Sequence, residues 1–345
     1  MALPKVSVVI VNHNSGQALL RCLKSLVNTR YDDFETIVVD DGSTDGSLEL
    51  VERMKKELPA LSFITTHSNL GPAAGRNAGV DASTGRYVAF LDSDTEVDPQ
   101  WLIDPVLTME RDPSVGVIQC KLLLMEERDK YDYAGDFLSQ FGFLVQSVTF
   151  REHDDLKVGR TEIFGVKSAA MMINRELFLA IGRFDEDFFI YLEETDLCWR
   201  AWLRGYRVQF IPTSIVYHDF GNPLKLLKQS SKFLTKYHGP KNYMTTILKD
   251  AGGFYLVRIA PLHIFCWIGI SLWHYARGRV REGLWISRGL SYNLLNFRSI
   301  WRKRLMTQYR IRRVEDNVIM PHVMVRISPM YLIRKATSEG SGWKI

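Results

Sequence analysis

Short apolar runs alternate with helical segments along residues 5–91. The β-branched run KVSVVIVN (5–12) predicts a strand that is buried on both faces. The following predicted elements are a helix with Leu19, Cys22, Leu23 and Leu26 on one face, strand 34–41, helix 44–57, strand 61–66, helix 72–83 and strand 86–91. Strands that alternate with helices of about ten residues indicate βαβ units. The sequence therefore predicts an α/β fold built on a mostly parallel sheet.

The two parts of the chain carry opposite charge. Residues 1–220 contain 22 basic and 34 acidic side chains, a net charge of −12. Residues 221–345 contain 22 basic and 5 acidic side chains, a net charge of +17. This asymmetry predicts two regions that divide near residue 220. It also predicts that the C-terminal region meets an anionic partner, either a membrane surface or nucleic acid.

The cysteines and the N-terminus indicate the compartment. The four cysteines, at positions 22, 120, 198 and 266, are scattered and form no C-x-x-C pair. This pattern argues against structural zinc and against a disulfide framework. The stretch MALPKVSVVIVNHN is strand-like and lacks the layout of a signal peptide. We expect a reduced, cytoplasmic setting.

Acidic residues follow two predicted parallel strands at the point where each strand ends. Asp40 and Asp41 close the second strand, and Asp92, Ser93 and Asp94 close the fourth. Ligands of such sheets bind beyond the carboxyl ends of the strands. Clustered carboxylates repel one another there, and a hard divalent cation such as Mg²⁺ or Mn²⁺ relieves that repulsion. The G-x-G-x-x-G and G-x-x-x-x-G-K-[ST] patterns are missing, so a dinucleotide or P-loop site loses its main support.

Five motifs occur in order over the first 220 residues. They are SVVIVNHNSG (7–16), IVVDDGSTDGS (37–47), NLGPAAGRNAGV (69–80), FLDSDTEV (90–97) and GRFDEDFFIYLEETDLCWRAWLRGYRVQFIPTSIVYH (182–218). Together they resemble glycosyltransferase family 2, which comprises inverting enzymes of the GT-A fold. The resemblance implies a Rossmann-like catalytic domain with a mixed, mostly parallel sheet over residues 1–220. A basic, helical region would follow at 221–345.

The resemblance implies a site for a nucleotide-sugar donor of the UDP, GDP or dTDP type. Val11 and His13 match positions that lie against the base, but many members have an aromatic residue in place of His13. Asp41 matches a carboxylate that accepts a hydrogen bond from the base, and its alternative role is to cap helix 44–57. The implied donor-binding residues are Val11, His13, Asp41, Arg76, Asn77, Asp92 and Ser93. Of these, Arg76 is expected at a phosphate and Asn77 at either the donor or its own loop.

The resemblance also implies a metal site. It assigns the direct contact with Mn²⁺ or Mg²⁺ to Asp94, while His218 approaches the metal or the pyrophosphate. A bound divalent ion stabilises the charge that develops on a leaving diphosphate. The alternative interpretations are a solvated turn for the two aspartates and a purely structural histidine.

An inverting transfer needs a base that accepts the proton of the attacking hydroxyl. The family supplies it from a Glu-Asp pair followed by x-Asp-Leu, and YLEETDLCWR matches this pattern with Glu194 in place of the usual aspartate. Glu194 is the expected base, and Glu193 and Asp196 are the alternatives on the acceptor side. Neighbouring like charges are expected to raise a carboxylate pKa here, although a first-turn acidic cluster also suits a helix dipole. Ser168 stands where the floor of the acceptor site usually has glycine.

The C-terminal region mixes basic, aromatic and aliphatic side chains. The 15 residues between Arg258 and His274 are largely apolar, yet they fall short of the roughly 20 that span a bilayer. The mixture at 283–301 favours an interfacial helix on an anionic membrane. The alternative is a set of helices that pack against the catalytic domain and leave their charge solvated. No nucleic-acid-binding module is recognisable, so nucleic acid is not an expected partner.

The sequence thus predicts a metal-dependent hexosyltransferase that is peripheral at the inner face of the cell membrane. Its expected acceptor is a saccharide, a lipid-linked saccharide or a polyprenyl phosphate, as in the synthesis of envelope polysaccharides or glycoprotein glycans. Two alternatives stay open: a nucleotidyltransferase on the same sheet, and a non-catalytic, membrane-bound sensor of nucleotide sugars. The sequence indicates neither the sugar nor the oligomeric state.

Overall fold

A computed structural model describes residues 3–58, 60–147, 161–219 and 224–331, with side chains from residue 233 onward in the last range. The strands in these ranges are β1 (Val6–Asn12), β2 (Phe34–Asp40), β3 (Leu61–Thr65), β4 (Tyr87–Asp92), β5 (Thr95–Val97), β6 (Val115–Leu124), β7 (Tyr131–Tyr133), β8 (Asp136–Ser139), β9 (Leu144–Gln146), β10 (Ala170–Asn174), β11 (Arg207–His218) and β12 (Met324–Val325). The helices are α1 (Gly16–Val27), α2 (Ser47–Met54), α3 (Pro72–Ala82), α4 (Ile103–Arg111), α5 (Arg175–Ala180), α6 (Glu193–Arg204), α7 (Leu224–Asp250), α8 (Gly253–Ala276), α9 (Val280–Leu295), α10 (Phe297–Met306) and α11 (Asp316–Val323).

Within the described ranges, a nine-stranded mixed sheet forms the centre of the molecule. Its order is β3-β2-β1-β4-β10-β6-β11-β5, and β7 pairs with β6. Strand β1 pairs in parallel with β2 and with β4, and β2 pairs in parallel with β3, as the alternating pattern predicts. Strand β10 lies antiparallel between β4 and β6. The α/β architecture is confirmed, and the carboxyl ends of β1, β2 and β4 lie at one edge of the sheet.

The predicted elements up to residue 92 are present, and the largest difference concerns the second helix. We predicted a helix over 44–57, whereas α2 begins at Ser47 and ends at Met54. Gly46 adopts a left-handed backbone with φ 80° just before the helix. The Asp45 carboxylate accepts the Ser47 amide at 3.2 Å and the Gly16 amide at 2.9 Å. The residues before Ser47 thus form a turn that joins two helix N-termini.

Two apolar clusters cover the two faces of the sheet. Val8 and Ile10 of β1 belong to one cluster, and Val9 belongs to the other. This alternation is the expected consequence of side chains that point to opposite faces of a strand. Helices α1, α2 and α4 supply the first cluster, and α5, α6 and α7 supply the second. The sheet is therefore held from both sides, and its strand ends are left as the place for a site.

The C-terminal helices pack against the sheet domain and neutralise part of their own charge there. Tyr243, Met244 and Ile247 of α7 lie in the same apolar cluster as the α6 side chains. Lys249 Nζ lies 2.5 Å from Asp185 Oδ2 and 2.6 Å from Asp196 Oδ1. Helix α7 therefore packs against the catalytic domain, which is the alternative to membrane docking that the sequence left open. The predicted boundary between residues 220 and 221 lies outside the described residues.

Two expectations about the C-terminal region need correction. The apolar stretch after Arg258 belongs to a longer helix. Helix α8 runs from Gly253 to Ala276, extends beyond both ends of the stretch and includes Pro261. By length and composition alone this helix is long enough to cross a membrane, so the prediction that the stretch is too short was wrong. Residues 283–301 form no single helix, since α9 ends at Leu295 and α10 begins at Phe297.

Candidate active site

The expected donor end of the site is a loop organised by Asp41. This residue follows β2, and its side chain is 1% exposed. Its carboxylate accepts the amides of Leu70 at 2.9 Å and Gly71 at 2.8 Å. Its main-chain oxygen lies 2.7 Å from Nδ1 of the exposed His13 ring. Asp41 and His13 are therefore neighbours, and Asp41 fixes the backbone that leads into α3.

Helix α3 approaches β1 closely at the base of this site. A Cβ atom added at Gly75 would come within 2.8 Å of Val11 Cγ1, so only glycine permits this approach. Val11 is half-buried. Asn77 donates to the main-chain oxygen of Phe184 at 3.0 Å, and its Oδ1 accepts the Phe184 amide at 3.1 Å. The contacts of Asn77 that the structure shows are therefore with the loop before α6, and not with its own loop around residues 69–71.

The candidate metal site lies where β4 ends. Suitable ligand atoms of Asp92, Asp94 and His218 lie within 4.8 Å of one another. His218 closes β11, and its Nε2 lies 3.4 Å from Asp94 Oδ1. Ser93, between the two aspartates, is half-buried. Two carboxylates and an imidazole form a donor set that a divalent ion accepts.

Asp132, which the sequence analysis missed, orients the histidine of this cluster. It lies in β7 with 2% of its surface exposed, and its Oδ2 lies 2.9 Å from His218 Nδ1. A carboxylate behind a histidine in this way fixes the ring and directs its other nitrogen. Burial opposes the charged form of His218, but the hydrogen bonds from Asp132 and Asp94 outweigh burial and raise the pKa to about 10. Asp132 lies outside the five motifs, so the sequence carried no signal for it.

Arg76 links the metal side of the site to the acidic start of α6. Its Nη2 donates to Asp92 Oδ1 at 2.9 Å and its Nη1 donates to Glu193 Oε1 at 2.9 Å. The Arg76 side chain is 6% exposed, and that of Glu193 is 3% exposed. Arg76 was expected at a phosphate, but the contacts that the structure shows are to carboxylates.

Glu194 is anchored by the serine that replaces the usual glycine. The Ser168 amide donates to Glu194 Oε1 at 3.1 Å, and the Ser168 hydroxyl donates to the same atom at 2.5 Å. Ser168 is buried, and Glu194 is half-buried at the first turn of α6. The two departures from the family pattern, Glu for Asp and Ser for Gly, therefore meet in one pair of hydrogen bonds.

The two other acidic candidates lie inside the protein. Burial raises the pKa of Glu193 to about 8, the neighbouring Glu194 charge adds to the rise, and Arg76 opposes it. The expected raised carboxylate pKa therefore falls on Glu193. Asp196 has no exposed surface, and the cations of Arg200 and Lys249, each 2.6 Å away, lower its pKa in spite of burial. A fully buried and doubly paired carboxylate cannot contact an acceptor, so Asp196 loses its support as a base.

A family comparison decides the assignment of the chain. The model of "Glycosyl transferase family 2" matches residues 7–182, which are 176 of the 345 residues. The chain belongs to glycosyl transferase family 2. The resemblance carried by the five motifs is thereby confirmed.

Relatives of this family member share only part of its length. One is the "Uncharacterized glycosyltransferase YibD" of Escherichia coli strain K12, 34% identical over 116 residues, which are 34% of this chain and 33% of that protein. The chain spans 33% to 44% of the length of the first curated relatives that it matches.

Solved structures resemble this chain in fold. The mannosyltransferase PcManGT from Pyrobaculum calidifontis, in complex with GDP-Man and Mn²⁺, has a TM-score of 0.58 at 17% identity and covers 88% of this chain and 86% of its own. GalNAc-T7 with UDP, GalNAc and Mn²⁺ has a TM-score of 0.53 at 19% identity and covers 86% of this chain and 58% of its own. These likenesses confirm the predicted GT-A fold with its helical C-terminal region.

Proposed function

We propose that the chain is an inverting glycosyltransferase that transfers a sugar from a nucleotide-sugar donor to an acceptor hydroxyl or phosphate. One observation carries the proposal: Arg76 bonds both Asp92 of the metal cluster and Glu193, the residue next to Glu194. The guanidinium of Arg76 therefore connects the metal cluster, where the diphosphate would bind, to the start of the helix that carries the candidate base. The families and solved complexes that the chain resembles support a nucleotide-sugar donor.

The donor would lie over the carboxyl ends of β1, β2 and β4. His13, which is exposed beside Asp41, would meet the base there, while the buried Asp41 carboxylate would hold the adjoining loop in place. Asp94, His218 and Asp92 would hold a divalent ion, which supplies charge neutralisation for the leaving diphosphate. The imidazole favours Mn²⁺ over Mg²⁺, because Mg²⁺ prefers oxygen ligands alone.

Glu194 would accept the proton of the attacking hydroxyl. The two hydrogen bonds from Ser168 go to the same oxygen, Oε1, and so fix the orientation of the carboxylate. A general base of this kind contributes about 10²- to 10⁴-fold to the rate. Glu193 is nearly fully buried against Arg76, which leaves the half-buried Glu194 as the carboxylate within reach of an acceptor.

Product analysis on purified full-length protein tests the reaction. We expect release of a nucleoside diphosphate, and a sugar product of inverted configuration, in the presence of Mn²⁺. Glu194→Gln should lower kcat about 100-fold or more while donor binding, followed by thermal shift, persists. The exposed Glu127→Gln is the control and should have no effect. Near-normal transfer by Glu194→Gln would remove Glu194 from its role, pyrophosphate release would favour a nucleotidyltransferase, and binding without turnover would favour a sensor.

We further propose that the C-terminal region docks on an anionic membrane at the cytoplasmic face, where a lipid-linked acceptor would be presented. Helix α8 exposes Phe254, Val257, Phe265 and Leu272 by 61% to 76%, at spacings that place them along one side. Exposed arginines accompany them, at positions 258, 277, 288, 298 and 302. Exposed apolar side chains beside cations fit the interface of an anionic bilayer.

Liposome flotation tests the membrane proposal. The protein should bind vesicles that contain phosphatidylglycerol at low salt, and Phe265→Glu with Leu272→Glu should abolish binding. Val318→Glu changes an apolar residue on α11 that is 57% exposed and serves as the control. Protein that ignores these vesicles overturns the proposal, and protein that resists alkaline extraction after expression in cells would show that α8 spans the bilayer instead of lying on it.

A further inference from the structure

The segment that leads into the candidate base has an unusual backbone. Phe189, Tyr191 and Leu192 have φ values of 63°, 71° and 68°, which lie in the left-handed region although none is glycine. Such residues persist only where their surroundings hold them in place. Leu192 directly precedes α6, whose second residue is Glu194. Whatever holds this segment therefore sets the start of the helix that carries the base.

A single side chain from the C-terminal region meets the main chain of this segment. Asn242 of α7 has no exposed surface. Its Nδ2 lies 3.2 Å from the oxygen of Phe188, 2.9 Å from that of Ile190 and 2.8 Å from that of Tyr191. Three acceptors that converge on one atom require a donor, and the side-chain amide supplies two N–H groups for them. Within the described residues Asn242 Oδ1 has no partner, so the side chain serves these carbonyls.

Neighbouring residues of α7 hold the same segment. The His238 ring stacks on Phe189 at a centroid distance of 5.8 Å. The Phe189 ring also lies against the loop before α3, since a Cβ added at Gly71 would lie 2.7 Å from it. Lys241 Nζ donates to the main-chain oxygen of Asp187. Residues 238, 241 and 242 share one face of a helix, so α7 presents a continuous surface to the segment.

We propose that Asn242 is a positioning residue for the base. By fixing the carbonyls of 188, 190 and 191 it selects the left-handed backbone that begins α6, and so directs Glu194 toward the acceptor. This inference rests on the proposed role of Glu194. It makes α7 part of the catalytic unit, in addition to any part that the C-terminal helices take in membrane docking.

Asn293 of α9 provides a matched control. It is also a buried asparagine, with 3% of its surface exposed. Its Nδ2 donates to the oxygen of Lys241 at 3.1 Å, and its Oδ1 accepts the Thr245 hydroxyl at 2.8 Å. These bonds join α7 to α9, and none of them goes to the segment before α6. Asn242 and Asn293 therefore have comparable burial and hydrogen bonding but different targets.

Steady-state kinetics on full-length Asn242→Leu and Asn293→Leu tests the proposal. We expect Asn242→Leu to lower kcat about 100-fold, as misplacement of a catalytic group by about 1 Å does. The donor KM and donor binding should change less than about threefold, and the acidic limb of the pH–rate profile should move because the surroundings of Glu194 change. Asn293→Leu should lower Tm by a similar amount and leave kcat and the pH profile unchanged. The proposal is overturned if the two variants, compared at equal folded fraction, have the same kcat.

Asn242→Ala covers the case in which Asn242→Leu does not fold. Alanine removes both donors and adds neither bulk nor charge, so kcat should fall while the fold persists. Normal kcat in Asn242→Ala would also overturn the proposal. Glu194→Gln separates the two ideas: an inactive Glu194→Gln beside a fully active Asn242 variant refutes only the positioning role, whereas an active Glu194→Gln refutes the base itself.

Discussion

Replacement of Arg76 by methionine should destabilise the protein, and most of the loss should come from Glu193. The Glu193 side chain is 3% exposed, whereas that of Asp92 is 36% exposed. Removing one partner of a buried ion pair costs about 3–5 kcal/mol, because the other charge stays buried without compensation. An exposed pair contributes up to about 1 kcal/mol. Because the pKa of Glu193 is already about 8, its carboxyl takes up a proton at pH 8 when Arg76 is lost, which limits the penalty. We therefore expect a loss of about 2–3 kcal/mol at pH 8, mainly from the lost hydrogen bonds of the buried guanidinium, which is a large part of the stability of an ordinary domain.

A double-mutant cycle isolates this term. Glu193→Gln removes the buried charge, so Arg76→Met combined with Glu193→Gln should cost about 2 kcal/mol less than the sum of the two single changes. Urea denaturation at pH 8 and 25 °C, followed by circular dichroism, gives the four free energies of unfolding. Arg183→Met is the control, because Arg183 pairs with Asp81 at side-chain exposures of 37% and 57% and should cost below about 1 kcal/mol.

Acid should reduce the cost of Arg76→Met. Burial already raises the pKa of Glu193 to about 8 with Arg76 present, and loss of the guanidinium removes the group that opposes this rise. At pH 5 the buried carboxyl therefore binds a proton and no longer needs a counter-charge. The argument from a buried pair is refuted if Arg76→Met costs no more than Arg183→Met at pH 8, or if the double mutant shows simple additivity.

Two further predictions concern a pH profile and a metal affinity. Glu193 keeps its proton up to a pKa of about 8 in the folded protein and loses it near 4.5 when unfolded, so its contribution to stability is complete below pH 4.5 and is lost as the pH rises to 8. Urea midpoints at pH 5 and pH 8 should therefore differ more in the wild type than in Glu193→Gln, and equal differences would contradict this. Asp132→Asn should weaken Mn²⁺ binding about 10- to 100-fold, because the carboxylate orients His218. Calorimetric titration measures that affinity, and an unchanged value would mean that His218 is not a ligand oriented by Asp132.

Local patterns in the sequence determined the first half of the fold. The β-branched run of β1 and the alternation of strands and helices predicted the parallel strands β1 to β4, because side-chain period and turn residues act over a few positions. The same local order put Asp41, Asp92 and Asp94 after strand ends, and five motifs in sequence indicated the family.

Tertiary structure alone decided which of these residues meet. Arg76 and Glu193 are 117 positions apart in the chain, and Asp132 and His218 are 86 apart. Asn242 reaches the carbonyls before α6 from another helix more than 50 positions away. The spacing of residues along the chain carries no record of such contacts, since they arise when helices and strands pack and buried polar groups must find partners. The same packing pairs Lys249 with Asp185 and Asp196, so charge that the sequence suggested for an external partner is partly neutralised within the fold.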